Sequence, residues 1–135
     1  MAENQLICPA CFRLISTTAS VCPDCGADID ALSARDYRDK LLAALAHPLD
    51  DVRMRAILAL GWRGEPDTAD ALADCALRHP MDVVEGLAVV DALTRLGKPG
   101  RDAMARLAES RPAHAVREAA RRALKAPPIQ EAADA

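Results

Sequence analysis

The sequence predicts an all-α fold, a short α-solenoid of three helix pairs, with a small module in front of it. Three observations carry this. The motif His47-Pro48-Leu49-Asp50-Asp51-Val52-Arg53 is echoed by His79-Pro80-Met81-Asp82-Val83-Val84-Glu85 thirty-two positions on, and again by Arg111-Pro112-Ala113-His114-Ala115-Val116-Arg117. Three copies at one fixed period are the mark of stacked helical units. The stretch Asp82 to Leu96 is apolar on nearly every side of a helix, so it belongs in the middle of the array, covered on more than one face. Finally, 51 % of the residues are hydrophobic but only 2 % aromatic, which leaves Ala, Leu and Val to pack closely approaching helices.

The front module spans residues 1–32. Four of the five cysteines lie here as two CxxC pairs, Cys8 with Cys11 and Cys22 with Cys25, separated by ten residues. Four thiolates at about 2.3 Å form the tetrahedral shell that zinc accepts. Without a secretion signal, such pairs read as metal ligands rather than disulfides. The spacer from Arg13 to Val21 is long enough for a hairpin that returns the second pair onto the first, and Gly26 supplies a left-handed turn after Cys25. CPAC and CPDCG resemble the knuckles of short bacterial zinc ribbons, over residues 6 to 30. That resemblance implies one structural zinc ion and no particular activity. A rubredoxin-like iron site also uses two CxxC pairs, but calls for a longer spacer and more aromatic cover. Glu3, Asp24, Asp28 and Asp30 outnumber Arg13 in the module, which makes it a poor phosphate binder.

The helical array is expected over residues 33–125, in units 33–64, 65–98 and 99–125. Its first helix starts at Ser33, whose hydroxyl caps the turn with Asp36 three residues on. Tyr37, Leu41, Leu42 and Leu45 line one face up to His47-Pro48, and a second helix runs from Asp51 to Trp62 before Gly61 and Gly64 mark its exit. Pro66 and Asp67 open the middle unit, with Leu72, Cys75, Ala76 and Leu77 inward. Asp82 with Glu85 caps its second helix. Gly97, Pro99 and Gly100 form the turn into the third unit, where Met104, Leu107 and Ala108 face inward, and the last helix covers Ala113 to Lys125. That helix keeps one apolar face and one polar face, as the end of a solenoid must. Residues 126–135 read as a disordered tail.

The segments VRMRAILALG, EGLAVVDALTRLG and VREAARRAL resemble the second helices of HEAT-like repeats, including the bilin-lyase type, over residues 36 to 125. The resemblance implies a protein-binding surface. It brings no catalytic motif: the iron-binding His-Glu pairs of the HEAT-like deoxyhypusine hydroxylase are missing here.

A net charge of −3 argues against a general nucleic-acid or membrane-surface binder. No apolar run approaches the ~20 residues that span a bilayer. The start MAENQ lacks a basic signal-peptide region, so a cytoplasmic, bacterial-type protein is expected. The candidate partner-binding residues are Arg53, Glu85, Arg117, Arg121, Lys125 and Trp62. Arg53, Glu85 and Arg117 hold equivalent positions in successive units, so stacking should set Glu85 between two arginines. They then form either an ionic ladder between repeats or a row in which the arginines project toward a ligand on the concave surface. Arg117, Arg121 and Lys125 make a basic stripe, either a solvated face or a phosphate contact. Cys75 reads as a small buried hydrophobe and His47 and His79 as turn residues. The expected function is a non-enzymatic adaptor or scaffold for another protein, with self-association possible; the alternative is a nucleic-acid or ribosome-associated factor using the basic helix.

Overall fold

The computed structural model describes residues 5–8, 10–31, 34–110 and 113–126. Among the described residues, strands β1 (Gln5–Ile7) and β2 (Leu14–Ser16) precede six α-helices, α1 (Ala34–Ala44), α2 (Asp50–Arg63), α3 (Ala69–Arg78), α4 (Val83–Leu93), α5 (Gly97–Glu109) and α6 (His114–Lys125), with a short 3-10 turn, Pro66–Thr68, leading into α3. They form three antiparallel pairs in two layers. In one layer α2 packs on α4 and α4 on α6, while in the other α3 packs on α5. One continuous core runs from Ile7 in β1 through Leu41, Leu60, Leu72, Leu93 and Leu107 to Val116 and Ala120 in α6.

Local chemistry explains the helix ends. Asp82 accepts the Glu85 N–H at 3.0 Å and so satisfies one orphan donor at the start of α4. The Glu85 side chain does not return to the cap; it leaves for α2. Gly64 ends α2 in the left-handed conformation, its N–H bonded to the Leu60 carbonyl at 3.1 Å. The expected Ser33 cap lies outside the described residues, as does the tail beyond Ala126.

Three expectations are revised. The α5 helix starts at Gly97, so Pro99 and Gly100 are helical rather than a turn. First-turn N–H groups have no intrahelical partner, so proline costs nothing there. Gly100 is required by contact, because a Cβ on it would stand 2.1 Å from the Leu93 carbonyl oxygen. The hairpin also differs: β1 and β2 pair as Gln5 with Ser16, Leu6 with Ile15 and Ile7 with Leu14, so the strands flank the first CxxC pair. Lastly, α4 is not apolar-covered all round, since Val83, Val84 and Leu87 are exposed.

Within the layer of α2, α4 and α6, neighbouring helices approach closely where side chains are small. A Cβ on Gly61 would meet Ala92 of α4 at 3.0 Å. Ionic contacts add to this packing. Arg106 of α5 reaches Asp70 at 2.8 Å and Asp74 at 2.7 Å on α3, and Arg38 of α1 reaches Asp67 at 2.8 Å.

Candidate metal centre and repeat surface

The two CxxC turns share one backbone design. Cys8 N–H donates to the Arg13 carbonyl at 2.9 Å and Phe12 N–H to the Cys8 carbonyl at 2.7 Å; Cys22 N–H donates to Ala27 at 2.9 Å and Gly26 N–H to Cys22 at 3.0 Å. Each turn therefore needs a left-handed residue just after its second cysteine. Gly26 takes it at φ 80° without cost, as its sequence position predicts. Phe12 takes it at φ 61°, which costs a non-glycine residue ~1–2 kcal/mol. Its packing explains why it is tolerated: the ring lies against the helical core, edge-on to His47 at 6.0 Å between centroids.

These turns bring four sulfurs together. Cys8 Sγ lies 3.7 Å from Cys25 Sγ, and Cys11 Sγ lies 3.7 Å from Cys22 Sγ. A tetrahedron with metal–sulfur bonds of about 2.3 Å has S···S edges of about 3.8 Å, so the set can hold a metal ion. The thiols are not equivalent. The Cys25 backbone N–H pulls Cys22 down to about 7, while burial pushes Cys11 up to about 12. Cys22 is the first of the two to offer a thiolate. Among the described residues, the packed interior around them is Cys8, Ile15 and Cys22 with a few partly buried neighbours, too little apolar surface for independent folding.

The segment is fastened to the helices by name. The buried Tyr37 hydroxyl accepts from the Ile7 N–H at 2.9 Å and donates to the Ile7 carbonyl, satisfying both backbone groups of the strand. Arg55 donates to the Phe12 carbonyl at 3.1 Å. The ribbon-like segment therefore covers the exposed end of the first helix pair.

Of the remaining predicted residues, Arg53 and Glu85 meet. Arg53 Nε donates to Glu85 Oε1 at 2.6 Å, and the two residues are 7 % and 2 % exposed. Arg53 Nη1 also donates to the His47 and Pro48 carbonyls at 2.9 and 3.1 Å. The Glu85 hydrogen bond holds Arg53 above its ordinary pKa. Such burial makes this pair a tie between repeats, with the Arg53 guanidinium turned to Glu85 and the corner carbonyls. Arg117 does not complete a ladder, since among the described residues Glu85 pairs with Arg53 and His79, and Arg117 Nε is buried without a hydrogen-bond partner. Arg121 is exposed and pairs with Glu118 at 2.9 Å, Lys125 is exposed, and Trp62 is half-buried on α2.

Two groupings escaped the sequence reading. Cys75 and His79 join Glu85 in one cluster, and their spacing of one helical turn on α3 was the available signal. Leu49, Met81 and Val84 are also exposed, at 60 %, 87 % and 69 %. Leu49 and Met81 were visible as equivalent corner residues, thirty-two positions apart, but the repeat pattern alone does not say which corner side chains stay uncovered.

The fold defines a short α-solenoid of antiparallel helix pairs. Among known families, the one described as HEAT repeats matches residues 26–89, which takes in the first pair and the middle unit into α4. No curated protein and no solved structure matches the chain. Among the described residues, no helix is long and apolar enough to cross a membrane.

Proposed function

We propose that this chain is a non-enzymatic adaptor or scaffold that binds another protein, with one structural zinc ion held by Cys8, Cys11, Cys22 and Cys25. HEAT repeats commonly serve as protein-interaction scaffolds, which supports the class. The observation that carries the reading is the number of large apolar residues left exposed on the first turns of α4 and at the corners of the first two units. Leu49, Met81, Val83, Val84 and Leu87 are held in water by a rigid two-layer scaffold. Exposed apolar groups of this kind mark interaction sites, and methionine and leucine can adapt to a partner's apolar side chains. Arg117, in the first turn of α6 beside the start of α4, is proposed as the polar surroundings of the contact; Arg121 and Lys125, further along α6, and Trp62, level with the far end of α4, are proposed as separate contact points. Arg53 and Glu85 contribute by fixing the spacing of α2 and α4.

Zinc follows from the donor set. Four thiolates leave no coordination position for water, which is the arrangement of a structural site. Its binding energy, on the order of 10 kcal/mol, supplies the stability that the segment's small interior lacks.

The test compares tagged wild-type chain with a Val84→Glu/Leu87→Glu variant, recovered from native cells with and without nuclease. The expected result is one protein in near-equal amount, insensitive to nuclease, present with the wild type and absent with the variant, while helical circular dichroism is unchanged. Recovery only of nucleic-acid-bound proteins, lost on nuclease treatment, would replace this reading with contact through the basic helix α6.

A further inference from the structure

We infer that Cys75, His79 and Glu85 form a second metal site, specific to the middle repeat, that takes a borderline-soft divalent cation such as zinc or cobalt(II). Cys75 and His79 stand one turn apart at the end of α3, so both face the same side of the helix. The Pro80-Met81 corner then turns the chain so that Glu85, in the first turn of α4, comes back against them. One ligand atom from each residue lies within 4.8 Å of the other two. Cys75 Sγ is 3.8 Å from Glu85 Oε1, and His79 Nδ1 is 3.0 Å from Glu85 Oε2. Edges of this size suit three donors around one ion at bonds of about 2.0–2.3 Å.

The buried carboxylate supplies independent support. Arg53 satisfies Oε1, but Oε2 has no hydrogen-bond partner although Glu85 is 2 % exposed. The imidazole Nδ1 lies 3.0 Å from Oε2 without hydrogen-bonding it; in the tautomer that donates to the Cys75 carbonyl at 3.1 Å it carries the proton, and with the proton on Nε2 the Nδ1 lone pair is free beside Oε2 to take a metal ion. A buried anionic oxygen without a donor is costly, and a cation beside it removes that cost.

Repeat packing accounts for Glu85 Oε1, which Arg53 engages, but not for the convergence of all three donors. The equivalent positions are Ala43, His47 and Arg53 in the first unit and Leu107, Arg111 and Arg117 in the third. Neither set can bind a cation, so the array stacks without these donors. Charge balance is met by the thiol: on binding, the Cys75 S–H bond breaks, a sulfur–metal bond forms and one proton leaves to solvent. With Cys75 ionised, the centre gains one net positive charge rather than two, beside an Arg53 already engaged by Oε1 and two backbone carbonyls. Three protein donors leave a fourth position for water.

Equilibrium titration of the full chain with cobalt(II), followed by visible absorption and proton release, tests the inference. Wild type should show two saturable phases, the four-cysteine site and a second with mixed donors, reaching two ions per chain. His79→Gln, at a side chain only partly buried, should keep the first phase and lose the second. Cys75→Ala should do the same and also lose one released proton. A single phase in wild type overturns the proposal, as does a second phase that survives His79→Gln. Should Cys75→Ala fail to fold, His79→Gln decides alone, with circular dichroism showing that the helices are intact.

Discussion

Replacing Arg53 by methionine should destabilise the chain far more than its place in a surface-accessible repeat array implies. The substitution keeps the aliphatic stem but removes the guanidinium, which is 2.6 Å from Glu85 Oε1 and also serves the His47 and Pro48 carbonyls. What remains is a carboxylate 2 % exposed whose Oε1 keeps only the weak Cys75 thiol donor at 3.8 Å and whose Oε2 has no hydrogen-bond donor. Removing one partner of a buried pair costs about 3–5 kcal/mol. For a chain of this size each kcal/mol moves the melting temperature by about 4 °C, so a fall of about 12–20 °C is expected. Arg53→Met combined with Glu85→Leu should recover to within about 1 kcal/mol of wild type, because a well-packed apolar pair replaces a buried ionic one at little net cost. Urea unfolding of wild type, both single variants and the double variant gives the coupling directly. A single-variant loss below about 1 kcal/mol, or a double variant whose loss equals the sum of the singles, would refute the buried-tie account.

Tyr37→Phe removes the hydroxyl that serves both backbone groups of Ile7; a loss of about 1–3 kcal/mol and faster amide exchange at Ile7 are expected. Gly100→Ala places a methyl 2.1 Å from the Leu93 carbonyl, and the resulting overpacking should outweigh the gain in helix propensity, lowering stability by about 1–2 kcal/mol in urea unfolding. Stripping metal with a strong chelator should release the amides between Cys8 and Ala27 to hydrogen exchange while α2 to α6 keep their protection. Unchanged exchange there would show that the four thiols do not hold the segment together through a metal.

The period of thirty-two residues made the helix pairs legible, because each unit repeats the same corner and the same apolar spacing. The four cysteines were legible for a similar reason: metal chemistry constrains ligand spacing within each pair. What sequence did not reveal lies between elements. Phe12 in a left-handed conformation has no local signature, since its tolerance rests on contact with the helical core and His47. Gly100 reads as a turn glycine until the Leu93 carbonyl is seen against it. The Glu85 ladder was half visible. Equivalent positions predicted proximity to Arg53 and Arg117, but the carboxylate has two oxygens, and the structure gives one to Arg53 and turns the other toward His79.

That division of Glu85 shows how a repeat array acquires a unique centre. Stacked units contact only their neighbours, so identical units could slip or exchange without changing their local contacts. Here position 85 carries an acid where its equivalents, Arg53 and Arg117, carry bases. The middle unit alone can accept an arginine from the unit before it. The ends are distinguished by other means: Tyr37 and Arg55 bind the front segment, and Arg101 caps α6 through the Leu124 carbonyl at 2.6 Å. Order along the solenoid is thus encoded by a few polar groups laid over a nearly uniform apolar core. The same residue that fixes the order also places a buried carboxylate beside Cys75 and His79, a donor set whose equivalents are Ala43, His47 and Arg53 in the first unit and Leu107, Arg111 and Arg117 in the third.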